Sequence, residues 1–201
     1  GSGSGSVYVL RTTDGGATYG QVAKLTAADA AGGDYFGTSV AIDGNTVVVG
    51  ASEYYGSGSA YVFRTTDGGA TYAQVAKLTA SDAAADDDFG NSVAIDGDTI
   101  VVGASSDDDG GSQSGSAYVF RTTDGGATYD EIAKLTASDA SYNDEFGWSV
   151  AIAGGTIVVG AYMKDSDAGD MYSGSAYVFR TSDGGASYGQ VAKGLHPPYE
   201  R

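Results

Sequence analysis

Apolar and polar positions recur along this chain in a fixed order. A short alternating stretch, a glycine-rich turn and a second short apolar stretch occur together four times, at residues 5–24, 58–77, 115–134 and 174–193. The copies are close to identical, and residues 60–72 match residues 117–129 at every position. A period of about 50 to 60 residues is typical of repeat proteins, so we expect one continuous array of similar units.

Each of these stretches predicts a β-hairpin, which we call the C–D hairpin. In the first copy, residues 7–11 alternate and are rich in β-branched and aromatic side chains, and residues 19–25 form the returning strand. Between them, Asp14-Gly15-Gly16 supplies positions that tolerate positive φ and a carboxylate that accepts backbone hydrogen bonds.

A second element recurs between the hairpins, with the pattern Phe-Gly-x-Ser-Val-Ala-Ile and then Val-Val-Gly-Ala, at residues 36–51, 89–104 and 146–161. In its first copy it predicts strand A over residues 36–42, a tight turn at Asp43-Gly44 and strand B over residues 46–51. The run Thr46-Val47-Val48-Val49 is apolar on both faces, which is typical of a strand buried between two layers.

Four short antiparallel strands per unit predict an all-β protein, a β-propeller with four-stranded antiparallel blades and about three and a half blades in this chain. A β-sandwich is the alternative fold, although a sandwich does not require near-identical units at a fixed period. The expected boundaries are a linker or added segment at 1–4, a half blade at 5–27, blades at 28–80, 81–137 and 138–193, and a non-repeat tail at 194–201 that contains two prolines.

The overall charge excludes several classes of partner. Net charge is −16, which disfavours nucleic acid and anionic membrane surfaces and favours cations or basic proteins. No run of apolar residues approaches the length of a membrane span, so no membrane insertion is expected. The chain has no cysteine, which rules out both a disulfide framework and a thiolate metal site.

The Phe-Gly and Gly-Ala pairs carry a resemblance to a known family. Phe36-Gly37 with Gly50-Ala51, and the equivalent pairs in the next two copies, resemble the FG-GAP repeat of integrin-α-like propellers. The resemblance implies a β-propeller, usually extracellular and used for adhesion or ligand binding. The proline that usually follows Gly-Ala is replaced by Ser52, Ser105 and Tyr162, and the integrin-type calcium loop between strands A and B is absent. The chain is therefore most similar to the short-turn variety found in bacterial and algal surface proteins.

The turn of each C–D hairpin resembles the Asp-box of sialidase-like propellers, with tyrosine in place of tryptophan. We expect its aspartate to stabilise the turn by accepting backbone N–H bonds. The four structural aspartates are Asp14, Asp67, Asp124 and Asp183. Sialidase chemistry would need clustered arginines, whereas Arg11, Arg64, Arg121 and Arg180 occupy one equivalent position in each repeat and are expected on different blades.

The loops between strands D and A, and those between B and C, hold more than half of the 26 acidic residues and are expected on one face of the propeller. Lys164 is expected to be the only base there. Calcium is the hard cation that several carboxylates on a flexible loop would bind. The candidate ligands are Asp29, Asp34, Asp82, Asp86, Asp87, Asp139 and Asp144. The alternative is that the recurring aspartates cap their own loops and the others are solvated.

No nucleophile–base pair is visible, and the single histidine, His196, lies in the tail, so we expect no enzymatic activity. We expect an extracellular or cell-surface structural or adhesive segment that assembles with itself or with further propeller blades, with a protein or glycan as a possible ligand. The alternative is a carbohydrate-binding module that uses exposed aromatic residues near the acidic loops, namely Tyr54, Tyr55, Tyr142, Trp148, Tyr162 and Tyr172.

Overall fold

The computed structural model describes residues 3–53, 55–165 and 171–194. Tyr54, two acidic residues of the last B–C loop (Asp167 and Asp170) and the tail beyond Gly194, with His196, lie outside the described residues. The described part is all-β. Its strands are β1 Val7–Arg11, β2 Gly20–Leu25, β3 Ser39–Asp43, β4 Thr46–Ala51, β5 Ser59–Arg64, β6 Ala73–Leu78, β7 Phe89–Asp96, β8 Thr99–Ala104, β9 Ser116–Arg121, β10 Asp130–Leu135, β11 Phe146–Ala153, β12 Thr156–Ala161, β13 Ser175–Arg180 and β14 Gly189–Gly194.

The strands form three four-stranded antiparallel sheets and one two-stranded sheet. The four-stranded sheets have the orders β3-β4-β5-β6, β7-β8-β9-β10 and β11-β12-β13-β14, and β1 pairs with β2 alone. Each larger sheet therefore contains strands A, B, C and D in chain order, and the first hairpin supplies only C and D. This arrangement confirms the predicted four-stranded antiparallel blades and the half blade before them.

Strand A of the first blade is shorter than the sequence predicts. It begins at Ser39, and Phe36 forms an isolated parallel bridge with Gly5 at the start of the half blade, as Phe89 does with Gly58. In the next two blades the strand begins at the phenylalanine itself, and its register shifts before Ser92 and Ser149. The Phe-Gly pair is thus a junction between sheets in every copy, and it belongs to the regular ladder in only two of them.

Strands B and C are the most buried strands of the first two full blades. Every residue of β4 is buried, and all but the first residue of β8 are buried, which confirms the prediction from the valine run. In β12 the same pattern is interrupted, since Val158 is 38% exposed while its counterparts Val48 and Val101 are fully buried. One face of the last blade is therefore open to solvent.

Successive sheets pack face to face, with the phenylalanine of each Phe-Gly pair between them. Phe89 is fully buried and its ring lies edge-on to those of Tyr118 and Phe120, at centroid distances of 5.5 and 6.0 Å. Phe36 and Phe146 make the equivalent contacts in their own blades. The predicted burial of all three phenylalanines is confirmed, and each anchors one blade against its predecessor.

Glycines let the backbones of adjacent sheets touch at the same junction. A Cβ on Gly58 would overlap the carbonyl oxygen of Phe89, and a Cβ on Gly50 would overlap that of Gly90. The serine of the motif adds a bond, because the Ser39 hydroxyl donates to the carbonyl of Gly90 over 2.8 Å. The bond recurs from Ser92 to the next blade. The Phe-Gly, Ser and Gly-Ala positions thus join one blade to the next.

The tight turns at the opposite end also connect neighbouring blades. The carboxylate of Asp43 accepts the N–H of Gly97 over 2.7 Å, and that of Asp96 accepts the N–H of Gly154 over 2.6 Å. Arg121 donates to the carbonyl of Gly184 in the next hairpin turn, over 2.6 Å. Arg11 makes the same contact with the carbonyl of Gly68, whereas Arg180 bonds Thr156 of its own sheet, so these side chains do not converge.

Replacing Phe89 by alanine is expected to lower the free energy of unfolding by about 3–5 kcal/mol, because it removes a fully buried ring between two sheets. Denaturant unfolding measures this loss. Tyr142→Ala is the matched control, because Tyr142 is exposed and its removal should change stability by less than about 0.5 kcal/mol. A loss for Phe89→Ala as small as that of the control would show that the ring does not join the blades.

Candidate functional site: the acidic face

The loops from strand D to A and those from B to C lie at one end of the blades, and we call this end the acidic face. The first recurring aspartate of each D–A loop contacts the blade that follows. Asp29 accepts the hydroxyl of Tyr61 over 2.9 Å and the ammonium of Lys77 over 2.6 Å. The same pair of contacts recurs for the other two, from Tyr118 and Lys134 to Asp82 and from Tyr177 and Lys193 to Asp139.

The second recurring aspartate binds its own loop. Asp34, Asp87 and Asp144 each accept the N–H of the residue three positions earlier, over 2.6–2.8 Å. Asp87 and Asp144 are buried, and Asp86 beside them is exposed. These contacts are those of the capping alternative, in which a carboxylate replaces solvent for an otherwise unpaired loop N–H.

Three carboxylates meet at the second blade. Oxygens of Asp82, Asp107 and Asp109 all lie within 4.8 Å of one another, so the cluster could hold a metal ion. Of the seven aspartates predicted as calcium ligands, it contains only Asp82. The ammonium of Lys134 lies 2.6, 3.0 and 2.5 Å from these carboxylates in the same order. The lysine thus already contacts every carboxylate that a calcium ion would use there.

The charges in this cluster stabilise one another. Burial alone would lower the pKa of Lys134, but hydrogen bonds to the three aspartates raise it above the ordinary value for lysine. Burial would raise the pKa of Asp82, yet the bond from Lys134 holds it below its usual range. Burial, together with the bonds to Asp82 and Asp107, raises the pKa of Tyr118. The phenol of Tyr118 and the ammonium of Lys134 therefore stay protonated while Asp82 stays ionised near neutral pH.

The expectation that Lys164 is the only base on this face is wrong. Lys77, Lys134 and Lys193 end their D strands close to the loops, and their long side chains carry the ammonium groups onto the acidic face. Lys164 itself is buried and donates to the carboxylate of Asp144 over 2.8 Å. Strand direction alone did not show that these side chains reach past the end of the sheet.

Aromatic residues lie on the same face, and the structure brings one pair into contact. The rings of Trp148 and Tyr162 have centroids 4.4 Å apart with an interplanar angle of 42°, and both are about half-exposed. Tyr55, Tyr142 and Tyr172 are also exposed, and Tyr54 is not described. Carbohydrate binding by these residues stays a prediction.

Comparison with known proteins identifies the repeat. The FG-GAP repeat pattern matches residues 19–63, 72–120 and 129–179, which together make up more than half of the chain. The chain belongs to the FG-GAP repeat family. Each matched unit begins at strand D of one sheet and ends in strand C of the next, so every FG-GAP unit spans one blade junction. FG-GAP repeats are typical of extracellular and surface proteins.

The solved structures support the same fold. Sqt1 from Saccharomyces cerevisiae, a β-propeller, aligns with a TM-score of 0.50 at 14% identity, and the alignment covers 80% of this chain and 36% of Sqt1. The FG-GAP chain thus spans about a third of the length of Sqt1, and at this identity the likeness shows the fold alone. No curated protein matches the chain. The described residues contain no helix long and apolar enough to cross a membrane.

The hairpin turns of the FG-GAP blades are held by an aspartate and two hydroxyl side chains. One oxygen of Asp67 accepts the N–H groups of Ala70 and Thr71, both over 2.9 Å, and the other accepts the Thr71 hydroxyl over 2.6 Å. The Thr65 hydroxyl donates to Asp67 and accepts the N–H of Gly69. Closely similar bonds surround the other three structural aspartates, Asp14, Asp124 and Asp183.

Several residues that build the face were missed as site residues in the sequence. The tyrosine of strand C and the lysine of strand D both recur in every hairpin copy, which is the signal that could have drawn attention to them. Their pairing with an aspartate about 30 to 50 positions earlier was not visible, because it crosses from one loop to the following hairpin. Recurrence could have singled out the tyrosines and lysines, whereas only the stacking of blades shows which aspartate each of them contacts.

The turn aspartates predict a loss of stability in acid. The Thr71 hydroxyl, the Thr71 N–H and the Thr65 hydroxyl hold the pKa of Asp67 well below its usual range. A lowered folded-state pKa stabilises the protein above the unfolded value of about 3.9, and this contribution is lost as pH falls through the folded value. We therefore expect Asp67→Asn to melt below the wild type at pH 7, with the difference shrinking as the pH falls below about 4.

Thermal melts between neutral and acid pH test this expectation. Asp130→Asn is the control for loss of one charge, because Asp130 is exposed at the start of β10. The control should leave the melting temperature near that of the wild type. If the difference in melting temperature between the wild type and Asp67→Asn is constant across this pH range, the ionised Asp67 carboxylate does not stabilise the turn.

Proposed function

We propose that this chain is a segment of an extracellular structural or adhesive β-propeller that assembles with further blades of its own kind and presents an acidic face. The observation that carries the proposal is the outer edge of β1. Strands β5, β9 and β13 each pair with a B strand on one side and a D strand on the other. In the described part of the chain, β1 pairs only with β2.

The edge of β1 is a sheet edge of the kind that recruits another strand. Its row of backbone N–H and C=O groups has the direction and length that bind strand B elsewhere in the molecule. Pairing with such a strand would convert the half blade into a blade like the other three. The chemistry of the partner follows from this geometry, because the equivalent strands β4, β8 and β12 are all apolar.

Apolar side chains of the half blade are exposed as well. Tyr8 and Leu10 of β1 are 52% and 57% exposed, whereas the equivalent Tyr61 and Phe63 are 2% and 3% exposed. Val40 and Ile42 of the first strand A are also exposed. Apolar side chains exposed together on a sheet face usually mark an interface.

The last blade offers a second open face. Val158 and Ala176 are exposed there, whereas Val48 and Ala60, their counterparts in the first full blade, are fully buried by the next sheet. The first open end is the face that packs on the preceding sheet in the other blades, and the second is the face that packs on the following sheet. Further blades that stack on either end would therefore use the contacts already seen between the sheets of this chain.

Sedimentation tests the assembly. At micromolar concentration the wild type is expected to self-associate through its open ends, and Tyr8→Lys with Leu10→Lys should shift it to monomer because two charges then lie on one of the faces. Tyr142→Lys is the matched control, since it adds a charge at an exposed tyrosine away from both ends. A stable wild-type monomer, or equal effects of both changes, would overturn the proposal.

The acidic face also gives calcium a defined place to compete. We propose that the Lys134 ammonium is the resident cation of the Asp82, Asp107 and Asp109 cluster. Calcium can bind these carboxylates only by displacing the ammonium group. The three carboxylates supply the hard oxygen ligands that calcium prefers, and the lysine ammonium contacts all three.

Replacing Lys134 by methionine is therefore expected to create a calcium response. At about 1 mM calcium, a level typical of extracellular modules, the melting temperature of Lys134→Met should rise more than that of the wild type. Lys77→Met is the matched control, because among the described residues Lys77 pairs with a single aspartate, Asp29. Equal shifts in all three proteins at constant ionic strength would show that calcium only screens the surface.

A further inference from the structure

The third blade differs from the first two at one place near the acidic face. The residue after the Phe-Gly pair is Thr38, Asn91 and Trp148 in turn, and the residue after Gly-Ala is Ser52, Ser105 and Tyr162. In the first blade these positions hold two hydroxyl groups 3.4 Å apart. In the third they hold two aromatic rings in tilted contact. The second and third blades pair strands A and B in the same register, so between them the exchange is a local change of surface chemistry.

The aromatic pair is exposed and has a carboxylate beside it. Trp148 and Tyr162 are 49% and 43% exposed, so their contact leaves a substantial area of both rings exposed to water. The side chain of Glu145 hydrogen-bonds to Tyr162 and is partly buried, and burial followed by repulsion from Asp88 raises its pKa. A cation placed between the rings and these carboxylates would relieve that repulsion.

The protein already uses this combination internally. The ammonium of Lys134 lies 5.1 Å from the centre of the Tyr118 ring while it contacts aspartates, and Lys77 lies 5.4 Å from the centre of the Tyr61 ring in the same way. Among the described residues, the lysines found over aromatic rings lie over Tyr8, Tyr61 and Tyr118. The Trp148–Tyr162 pair thus has the rings and the carboxylate of these sites without a lysine of its own.

We propose that Trp148, Tyr162 and Glu145 form a binding site for a lysine or arginine side chain of a basic partner protein. The ring faces attract the cation through their quadrupole, with tryptophan the strongest of the aromatic side chains, and the Glu145 carboxylate supplies the opposite charge. The net charge of −16 draws a basic partner towards this face and lowers its affinity for acidic ones. The site adjoins the open end of the last blade, because Gly174, whose counterparts Gly58 and Gly115 meet the next blade, lies against the backbone of Tyr162. Binding is therefore measured below the concentration at which the chain self-associates.

Binding of a labelled tetra-arginine peptide tests the site, with a tetra-citrulline peptide as the neutral match. Trp148 is the only tryptophan, so its fluorescence reports directly on occupancy. We expect arginine but not citrulline to change this fluorescence. Peptide anisotropy should show about fivefold weaker binding for Glu145→Gln, and a similar loss for Trp148→Asn or Tyr162→Ser, which install the residues of the second blade.

The controls separate a defined site from general attraction. Asp86→Asn removes one exposed charge from the same face and should weaken binding less than twofold, as a diffuse screened contribution. Equal losses for Asp86→Asn and Glu145→Gln would overturn the proposal. So would a Trp148 response to neutral oligosaccharides without one to arginine, which would assign the pair to glycan binding.

Discussion

The close approach of two backbones at the Phe-Gly motif is the contact on which the stacking of blades depends. A side chain at Gly50 or Gly58 would overlap a carbonyl of the next sheet, so only glycine allows the sheets to meet there. That approach brings Phe89 into the interface, where its ring is fully buried. The Ser39 hydroxyl then satisfies the carbonyl of Gly90. The residues that define the FG-GAP family are, in this protein, the residues by which one blade holds the next.

Charge is arranged around these junctions under a second constraint. A chain with a net charge of −16 must keep its buried carboxylates beside donors, because an isolated buried charge is costly. Asp87 and Asp144 meet this need with loop N–H groups, and Asp107 meets it with the ammonium of Lys134 and a tyrosine hydroxyl. The first recurring aspartates, such as Asp82 with Tyr118 and Lys134, tie each D–A loop to the following blade. Electrostatics on the acidic face therefore reinforce the stacking order set by the glycines.

Near-identity of the repeats makes their few differences informative. Where the first two blades place small polar residues at the acidic face, the third places Trp148 and Tyr162, and the change leaves the surrounding strands in the same register. Differences at the two ends have another origin. Tyr8 and Val158 keep the residue type of their buried counterparts and are exposed because no sheet covers them. Sequence differences thus mark the proposed binding surface, and differences in burial mark the faces that no described sheet covers.

The sequence by itself determined the strands, their order and the number of blades, because apolar alternation, Asp-Gly turns and exact repetition are local signals. It also showed that Asp67 occupies a turn and that Phe89 belongs to the core. The tertiary structure decided which residues meet across blades. Lys134 reaches Asp82 from 52 positions away, and Ser39 reaches Gly90 from 51. Such contacts depend on how far a side chain extends beyond its sheet and on how closely two backbones approach, and neither quantity is encoded in the local pattern of a single repeat.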